Sequence, residues 1–569
     1  MAVGNEGPGL GFGADADLAD VRPEEWSVRD ADARAYVREG TKGVAGLVRT
    51  TFGPRGMEKL VKTQDTKGDP EIVRTSDAGE LLDAVERGQM FRHPVAAVLV
   101  DNVNSMQGGL GDGTSTAVLL TASLVDRGFD LIDEGLHPGH LVVGYAMAAG
   151  RAGETLDDLA RPVDGDHETL RRVAATSMTA DVPAARREQY ADLVATAVQA
   201  VTADGGMVDT DEIGVKSRTD VEDRFYDGPI VRQVVRGGDE DEEYDADADL
   251  TATDRVFEDA TVAIVDREVD FEETASSFGE QFESGVRLEA EDVAAYTTGL
   301  QRRIASAADA VADLGVDVFV AQNEIDDRFH AALERRDVLV VEQARYPRSD
   351  VYRLARATGG EVVPGPDDLT SDVLGRAGRV HQERHDDETW TVFDGCDGPA
   401  REIVARARTA SEAALTERLV EDALQVTAVA AVDGQVLPGA GAPAAAVAAD
   451  LRDYASTIPE KEQLAIEAFA GALEDLVGQL GQNAGADPLT AAADLRAAHA
   501  NAGTRPASLG LSVEGDVVDA YETGVVEPRR VFSQAVETAR AAAEHLTTVD
   551  AVLYPNVDLG TLTPRPERT

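Results

Sequence analysis

Gly111-Asp112-Gly113-Thr114-Ser115-Thr116 places two glycines, one carboxylate and three hydroxyls directly before the apolar run 117–120. At the opening of a helix, backbone N–H groups and hydroxyls in this pattern wrap phosphates, while the acid between the glycines holds a divalent cation. The chemistry such a set can do is nucleotide-phosphate binding. It is not a P-loop, because the Gly-Lys-Ser/Thr ending is absent. Elsewhere His93, His137 and His140 are dispersed, and no His/Cys/Asp cluster has metal-ligand spacing. Neither a Ser–His–Asp nor a Cys–His arrangement follows from the spacing. Cys396 is the single cysteine, which excludes an intrachain disulfide and reads as a structural thiol in a reducing compartment.

The elements that must position this loop are mostly helical. Apolar residues recur at helical spacing over 30–50, and Thr51-Phe52-Gly53-Pro54-Arg55-Gly56 then breaks the helix into a tight loop. Helical patterns return at 76–87, 94–105, 114–135, 141–160 and 181–203. Near Tyr226 the character changes to short β-branched runs at 230–235, 261–265, 316–321, 338–342 and 361–364, alternating with helices at 293–314, 325–334 and 349–358. That alternation predicts an α/β unit around a small sheet. From Ala405 onward Ala-rich helices resume, so the middle unit reads as an insertion into a helical one.

Length and charge set bounds. The 569 residues with 43% hydrophobic content suffice for several cores, about three or four domains by length. Asp and Glu number 106 against 53 Lys and Arg, a formal charge of −53, which repels nucleic acids and anionic membranes. Only six of the bases are lysine. Excess carboxylate with little lysine suits concentrated salt, where the Debye length falls to about 3 Å at 1 M; an acidic, Arg-rich chain from a GC-rich genome is the competing explanation. The acidic stretch 239–249 reads as a solvated loop. The first residues lack a signal-peptide pattern, and no run of about 20 apolar residues occurs, so a cytoplasmic protein is expected.

Seven short strings occur in order: TFGPRG at 51–56, GDGTST at 111–116, EDAL at 421–424, PGAGAP at 438–443, EQLAIEAFA at 462–470, NAGADP at 483–488 and GVVEP at 524–528. With them the chain resembles the group II chaperonins, the thermosome and its relatives; Ile325-Asp326-Asp327 and LARATG at 354–359 look like that family's apical region. The resemblance implies a multidomain α+β fold. A helical equatorial domain would take residues 1–150, with a mobile tail to about 25, and 406–569. Intermediate segments would be 151–225 and 376–405, and an α/β apical domain 226–375. It further implies stacked rings of identical or sister subunits that enclose unfolded protein clients. The segment 271–296 falls where the family carries a helical protrusion serving as a lid. Phe278, Phe282 and Val286 give it one apolar face, which ordinary domain packing explains equally well.

By the same resemblance the cofactors are ATP and Mg²⁺, with K⁺ as a further cation. Asp112 would hold the metal, while Asp77 and Asp422 would position or activate the attacking water. Thr51, Gly53 and Pro54, with Gly113, Thr114, Ser115 and Thr116, would shape the phosphate cradle; Gly441 would let the backbone approach the nucleotide and Glu527 would meet the ribose. Each acid has a plainer reading as a turn former, a surface charge or, for Glu527, a helix-capping group. The chain also departs from the family. Ser76-Asp77-Ala78-Gly79-Glu80 replaces Asn-Asp-Gly-Ala-Thr, Ala180-Asp181 stands where Gly-Lys is common, and Ala440 and Ala444 replace a glycine and an acid. Two readings therefore stand side by side: an ATP-dependent chaperonin subunit, or a divergent ring subunit with weak or absent hydrolysis. A soluble ATP-using metabolic enzyme is a remote third, and a monomer or dimer in sedimentation would favour it.

Overall fold

The computed structural model describes residues 27–64, 70–88, 94–163, 165–178, 182–202, 207–234, 254–271, 290–342, 344, 349–385, 388–502 and 506–553. The acidic stretch 239–249, His93, Asp181, and Phe278, Phe282 and Val286 of the expected protrusion lie outside those residues. Two compact units result. The first is built from the chain up to Asp164, Thr179–Val182 and everything from Asp433; the second takes Gly165–Met178 and Pro183–Val432.

The first unit is a helical bundle. Helix Thr114–Asp133 buries Ala117, Val118, Leu120, Leu124, Val125 and Phe129 and packs against Asp30–Val48, Glu462–Asn483 and Arg529–Thr547. So apolar a helix, buried on most faces, belongs at a bundle's centre. Helix Pro138–Leu159 starts with proline in its first turn and with His137 as its cap, Nδ1 accepting the Gly139 N–H at 3.0 Å. His140 meets Glu462 at 2.8 Å. Two of the three dispersed histidines thus serve structure. Tyr145, wholly buried, donates to the Leu124 carbonyl at 2.7 Å and stacks edge-on against Phe469 at 5.7 Å. A hairpin of Lys59–Gln64 and Pro70–Thr75 leads into helix Ala78–Arg87. A short antiparallel sheet orders Val526–Pro528, Gln435–Pro438 and Arg161–Pro162 and sets Glu527 opposite Leu437.

Ala440, between that sheet and helix Ala442–Ala455, has a φ of +60°. A side chain in the left-handed region costs about 1–2 kcal/mol. Its carbonyl accepts from the Leu511 N–H at 2.9 Å, and a Cβ on Gly510 would stand 2.6 Å from it, so the backbone is held there by its neighbours. Ala440→Gly is therefore expected to stabilise the first unit by about 0.5–1 kcal/mol, seen as a higher thermal midpoint.

The second unit contains the expected α/β layer. Its seven-stranded sheet runs Leu339–Val341, Val318–Ala321, Phe257–Val265, Gly375–Arg384, Glu388–Asp394, Ile230–Val234, with Val362–Val363 beside Phe257–Val265. The first three pairings along that path are parallel, parallel and antiparallel, and helices Ala290–Asp313 and Asp327–Glu334 make the parallel crossovers. Strand residues alternate between two cores. Ala263, Val265, Phe319, Ala321 and Val340 face those two helices, while Val262, Ile264, Val318, Val320, Leu339 and Val341 face helix Ser349–Thr358. Burial on both sides explains why these strands read as continuous apolar runs. The sheet also takes in two strands beyond residue 375. A separate sheet pairs Arg401–Arg406 parallel with Ile213–Arg218 and antiparallel with Arg224–Tyr226, beside helices His167–Ser177 and Ala184–Val201. Cys396 is buried and its thiol is pushed up to about 12 by burial. That environment suits an inert structural thiol.

Candidate functional site

The Gly-Asp-Gly loop is shaped by its glycines. Gly113 sits at φ +92°, where a Cβ would meet Val531 Cγ1 at 3.0 Å, and it caps helix Thr114–Asp133 without any side-chain hydrogen bond. The first N–H groups of this helix therefore lack an intrahelical or capping partner and attract an anion. Thr114 is 3% exposed, and its Oγ1 has no hydrogen-bond partner. A buried hydroxyl left unpaired costs about 1–3 kcal/mol unless a ligand satisfies it. Ser115 and Thr116 are half-buried beside it. Asp112 folds back, one carboxylate oxygen accepting the Gly113 N–H at 2.6 Å.

A second loop is locked by contacts that sequence reading did not single out. Asn483 donates to the carbonyls of Arg49 at 2.9 Å and Phe52 at 2.7 Å, pinning the turn that holds Gly53 and Pro54. Thr51 is buried, its Oγ1 spent on the Val48 carbonyl at 2.9 Å, so this hydroxyl supports the loop instead of facing a ligand. Gly53 has φ +83°, and a Cβ there would collide with Leu480 Cδ1 at 2.4 Å. Gly441, at φ +75°, leaves a Cβ only 3.1 Å from Leu480 Cδ2 and caps helix Ala442–Ala455 without a side-chain bond. One leucine thus brings both glycine turns together. Asn483 was visible as the first residue of NAGADP; nothing in the sequence marked Leu480.

Three of the four expected acids share one electrostatic neighbourhood. Burial pushes the Asp112 carboxyl up to about 6, opposed by the Gly113 N–H and reinforced by the negative charge of Asp77. Burial pushes Glu527 up to about 8, and the charge of Asp112 adds to it. Asp112 as a residue is exposed, although protein atoms crowd its carboxyl. Asp77 caps helix Ala78–Arg87, accepting the Glu80 N–H at 2.7 Å through Oδ1, while its own N–H donates to Thr75 Oγ1 at 2.9 Å. The capping reading of Asp77 is therefore realised. Asp422 belongs to the second unit, on the exposed face of helix Ala410–Asp433. Arg55, at the tip of the pinned loop, lies 3.7 Å from Glu514.

This donor set fits a magnesium-bound polyphosphate. Among the described residues no three His, Cys, Asp or Glu side chains are grouped so as to hold a metal alone. Mg²⁺ characteristically takes one or two carboxylates and completes its shell with water and phosphate oxygens. Asp77 raises Asp112, and Asp112 raises Glu527, so negative charge is crowded here where a bound cation would relieve it.

The titrations carry a prediction. Glu527 binds its proton more tightly in the fold than in the unfolded chain, so stability falls as pH rises from about 4.5 to about 8. Glu527→Gln removes this dependence. The thermal midpoint of nucleotide-free variant minus wild type, at fixed salt, is expected to grow across that window; a flat difference would show that Glu527 is not strained by its surroundings.

Residues 44–556 match the sequence pattern of the TCP-1/cpn60 chaperonin family. The chain is similar to a thermosome subunit of Methanopyrus kandleri, 34% identical over 529 residues, covering 92% of each chain. It is likewise similar to thermosome subunit alpha of Halobacterium salinarum, 35% identical with 92% of this chain and 88% of that one covered. Thermosome subunit 1 of Haloferax volcanii is 34% identical, with 92% and 89% covered. The matched span includes both loops, the three neighbouring acids and the inserted α/β unit, and on that ground the chain belongs to the TCP-1/cpn60 chaperonin family.

Proposed function

We propose that this chaperonin subunit, which assists protein folding, binds ATP with Mg²⁺ at the Gly-Asp-Gly loop of its helical unit and couples nucleotide turnover to enclosure of unfolded clients. The observation that carries the reading is the meeting of Asp77, Asp112 and Glu527 beside an uncapped helix start whose Thr114 hydroxyl lacks a partner. The N–H groups after Gly113, with Thr114, Ser115 and Thr116, would cradle the phosphates, and Gly53, Pro54 and Gly441 would keep backbone close to them. Asp112 would hold the magnesium ion, which when bound supplies charge neutralisation of the phosphate oxygens. Asp77 and Asp422 would orient the attacking water, and Glu527 would accept a ribose hydroxyl. Thr51 would act through the pinned loop. Positioning and electrostatic stabilisation supply most of the effect in such reactions. In domain terms, residues 1–150 and 406–569 would form the equatorial part, 151–225 and 376–405 the intermediate part and 226–375 the apical part, in a ring of identical or sister subunits in the cytoplasm.

The Asp77 geometry favours a second version, a ring subunit with slow hydrolysis. Its Oδ1 is committed to the Glu80 N–H, in a stretch where Ala78 and Glu80 replace family residues. The experiment is phosphate release in molar KCl, alone and with sister subunits, against an Asp422→Ala variant. Release well above the variant supports the active subunit, and equal rates favour the slow one. A particle that sediments as a monomer or dimer overturns both.

A further inference from the structure

Within the second unit lies a cavity of about 640 Å³ that the nucleotide reading does not use, a volume in the range that holds small organic ligands. Eight of its fourteen lining residues are charged, so an apolar occupant does not fit it. Strand Ile213–Arg218 and helix Ser349–Thr358 bring Lys216, Asp350 and Arg353, strand Ile230–Val234 brings Arg232, and helix Ala410–Asp433 brings Glu417 and Glu421. Part of this charge is satisfied within the protein. Lys216 Nζ is 3.1 Å from Glu402, and Arg353 reaches Glu402 at 3.0 Å and Asp350 at 3.2 Å. Arg232 is the exception among the cations: its buried Nε has no hydrogen-bond partner, and it joins no ion pair among the described residues. Glu417 and Glu421, one turn apart and so on one helix face, also make no hydrogen bond or ion pair there. Two further wall atoms on side chains almost free of solvent, Asp350 Oδ2 and Arg353 Nε, lack hydrogen-bond partners as well. Burial pushes the Glu417 carboxyl above the usual range, with Arg232 and then Lys216 pulling it back; burial raises Glu421 too, and the charge of Glu417 adds to it. One cation and a pair of carboxylates thus border a single polar space without touching.

We infer that this cavity binds a small zwitterion carrying a protonated amine and a carboxylate, with the amine at Glu417 and Glu421 and the carboxylate on Arg232. A guanidinium offers a planar fork of donors that matches a carboxylate, and its pairing with one is charge-assisted. An ammonium group has three donors and no acceptor, so a single one can serve both glutamates. A fully methylated amine carries the same charge but no N–H, and would leave both carboxylates without a donor. The class is therefore a free amino acid and not a betaine. Dissolved salt ions can meet either charge singly, whereas one molecule bearing both loses its translational freedom once for two contacts. None of these residues is assigned to the nucleotide, so the inference stands without that reading.

The test uses the full chain in molar KCl without nucleotide. Equilibrium dialysis with radiolabelled glycine, 4-aminobutyrate and L-lysine, whose amine and carboxylate stand at increasing separations, measures uptake, and a thermal scan on the same samples reads the linked stabilisation. Saturable uptake of at least one probe with a raised thermal midpoint is the expected result. Arg232→Gln and Glu417→Gln should each weaken that uptake by about 10–100-fold. Without ligand, both variants should melt no lower than wild type, because neither side chain has a partner to lose; a purely structural role would lower the midpoint instead. Wild-type protein carries a control that needs no variant to fold: neither the N-trimethylated form of the bound probe, nor acetate and methylammonium added together, should displace it. No saturable uptake of any of the three probes overturns the site. So does uptake that both substitutions leave unchanged, or a trimethylated form that binds as tightly as its parent.

Discussion

Asp112→Asn is expected to lower phosphate release by about 10²–10³-fold while leaving the nucleotide-free fold as stable as wild type or more so. Asparagine has the shape of aspartate, and its amide oxygen can still accept the Gly113 N–H that the carboxylate accepts at 2.6 Å. What disappears is the negative charge, the only part of the side chain that a magnesium ion needs. The fold does not need it: burial and Asp77 both disfavour that charge, and the neighbouring Glu527 is raised further by it. Activity and stability should therefore part company, which a merely structural role for the loop would not produce. Phosphate release and a thermal scan on the same preparation check both halves. Wild-type release from the variant would remove Asp112 from the metal's shell, and a large fall in the midpoint would make it a turn residue.

The site was legible in sequence where its chemistry is local. Gly113, Thr114 and Asp112 announce themselves because a helix start, a positive φ and a carboxylate fall within four consecutive residues of one another. The central helices were legible too, their apolar residues recurring with little interruption. Strands with polar residues were not. Gly375–Arg384 carries three arginines, and Glu388–Asp394 is buried yet has an acid and two threonines among its first four residues; both are strands because they pair with each other and, on their outer sides, with Phe257–Val265 and Ile230–Val234 respectively, not through any propensity of their own. Helix His167–Ser177 was missed because Leu170, Val173 and Ala174 are its only buried residues. Nor could spacing reveal that Asp77's carboxylate is shared between a helix cap and its neighbour's electrostatics, or that Leu480 joins two turns. The acidic, lysine-poor composition, by contrast, agrees with relatives in Haloferax and Halobacterium and with a halophilic protein.

Glu402→Ala is expected to destabilise the second unit by about 3–5 kcal/mol, a loss large enough to unfold it within an otherwise intact chain. Glu402 is wholly buried on strand Arg401–Arg406, with Lys216 at 3.1 Å, Arg353 at 3.0 Å and the Ile230 N–H at 3.4 Å. Burial alone would raise its carboxyl, but Lys216 and Arg353 outweigh that and hold it below the ordinary range. Asp350, the other acid of the quartet, is raised by burial despite the same cations, so Glu402 is the charge they depend on. Space was made for it: a Cβ on Gly214 would come within 2.5 Å of both its carboxylate oxygens. Truncation strands two buried cations against one strained acid. The companion measurement is Lys216→Met/Glu402→Leu, which removes a cation and an anion together. Because an ion pair replaced whole by apolar side chains is often neutral, the double variant should recover most of the loss of either single change. Denaturant unfolding followed by the fluorescence of Trp390, buried in the same unit, reads the cycle; additive losses would mean that Lys216 and Glu402 stabilise the unit separately.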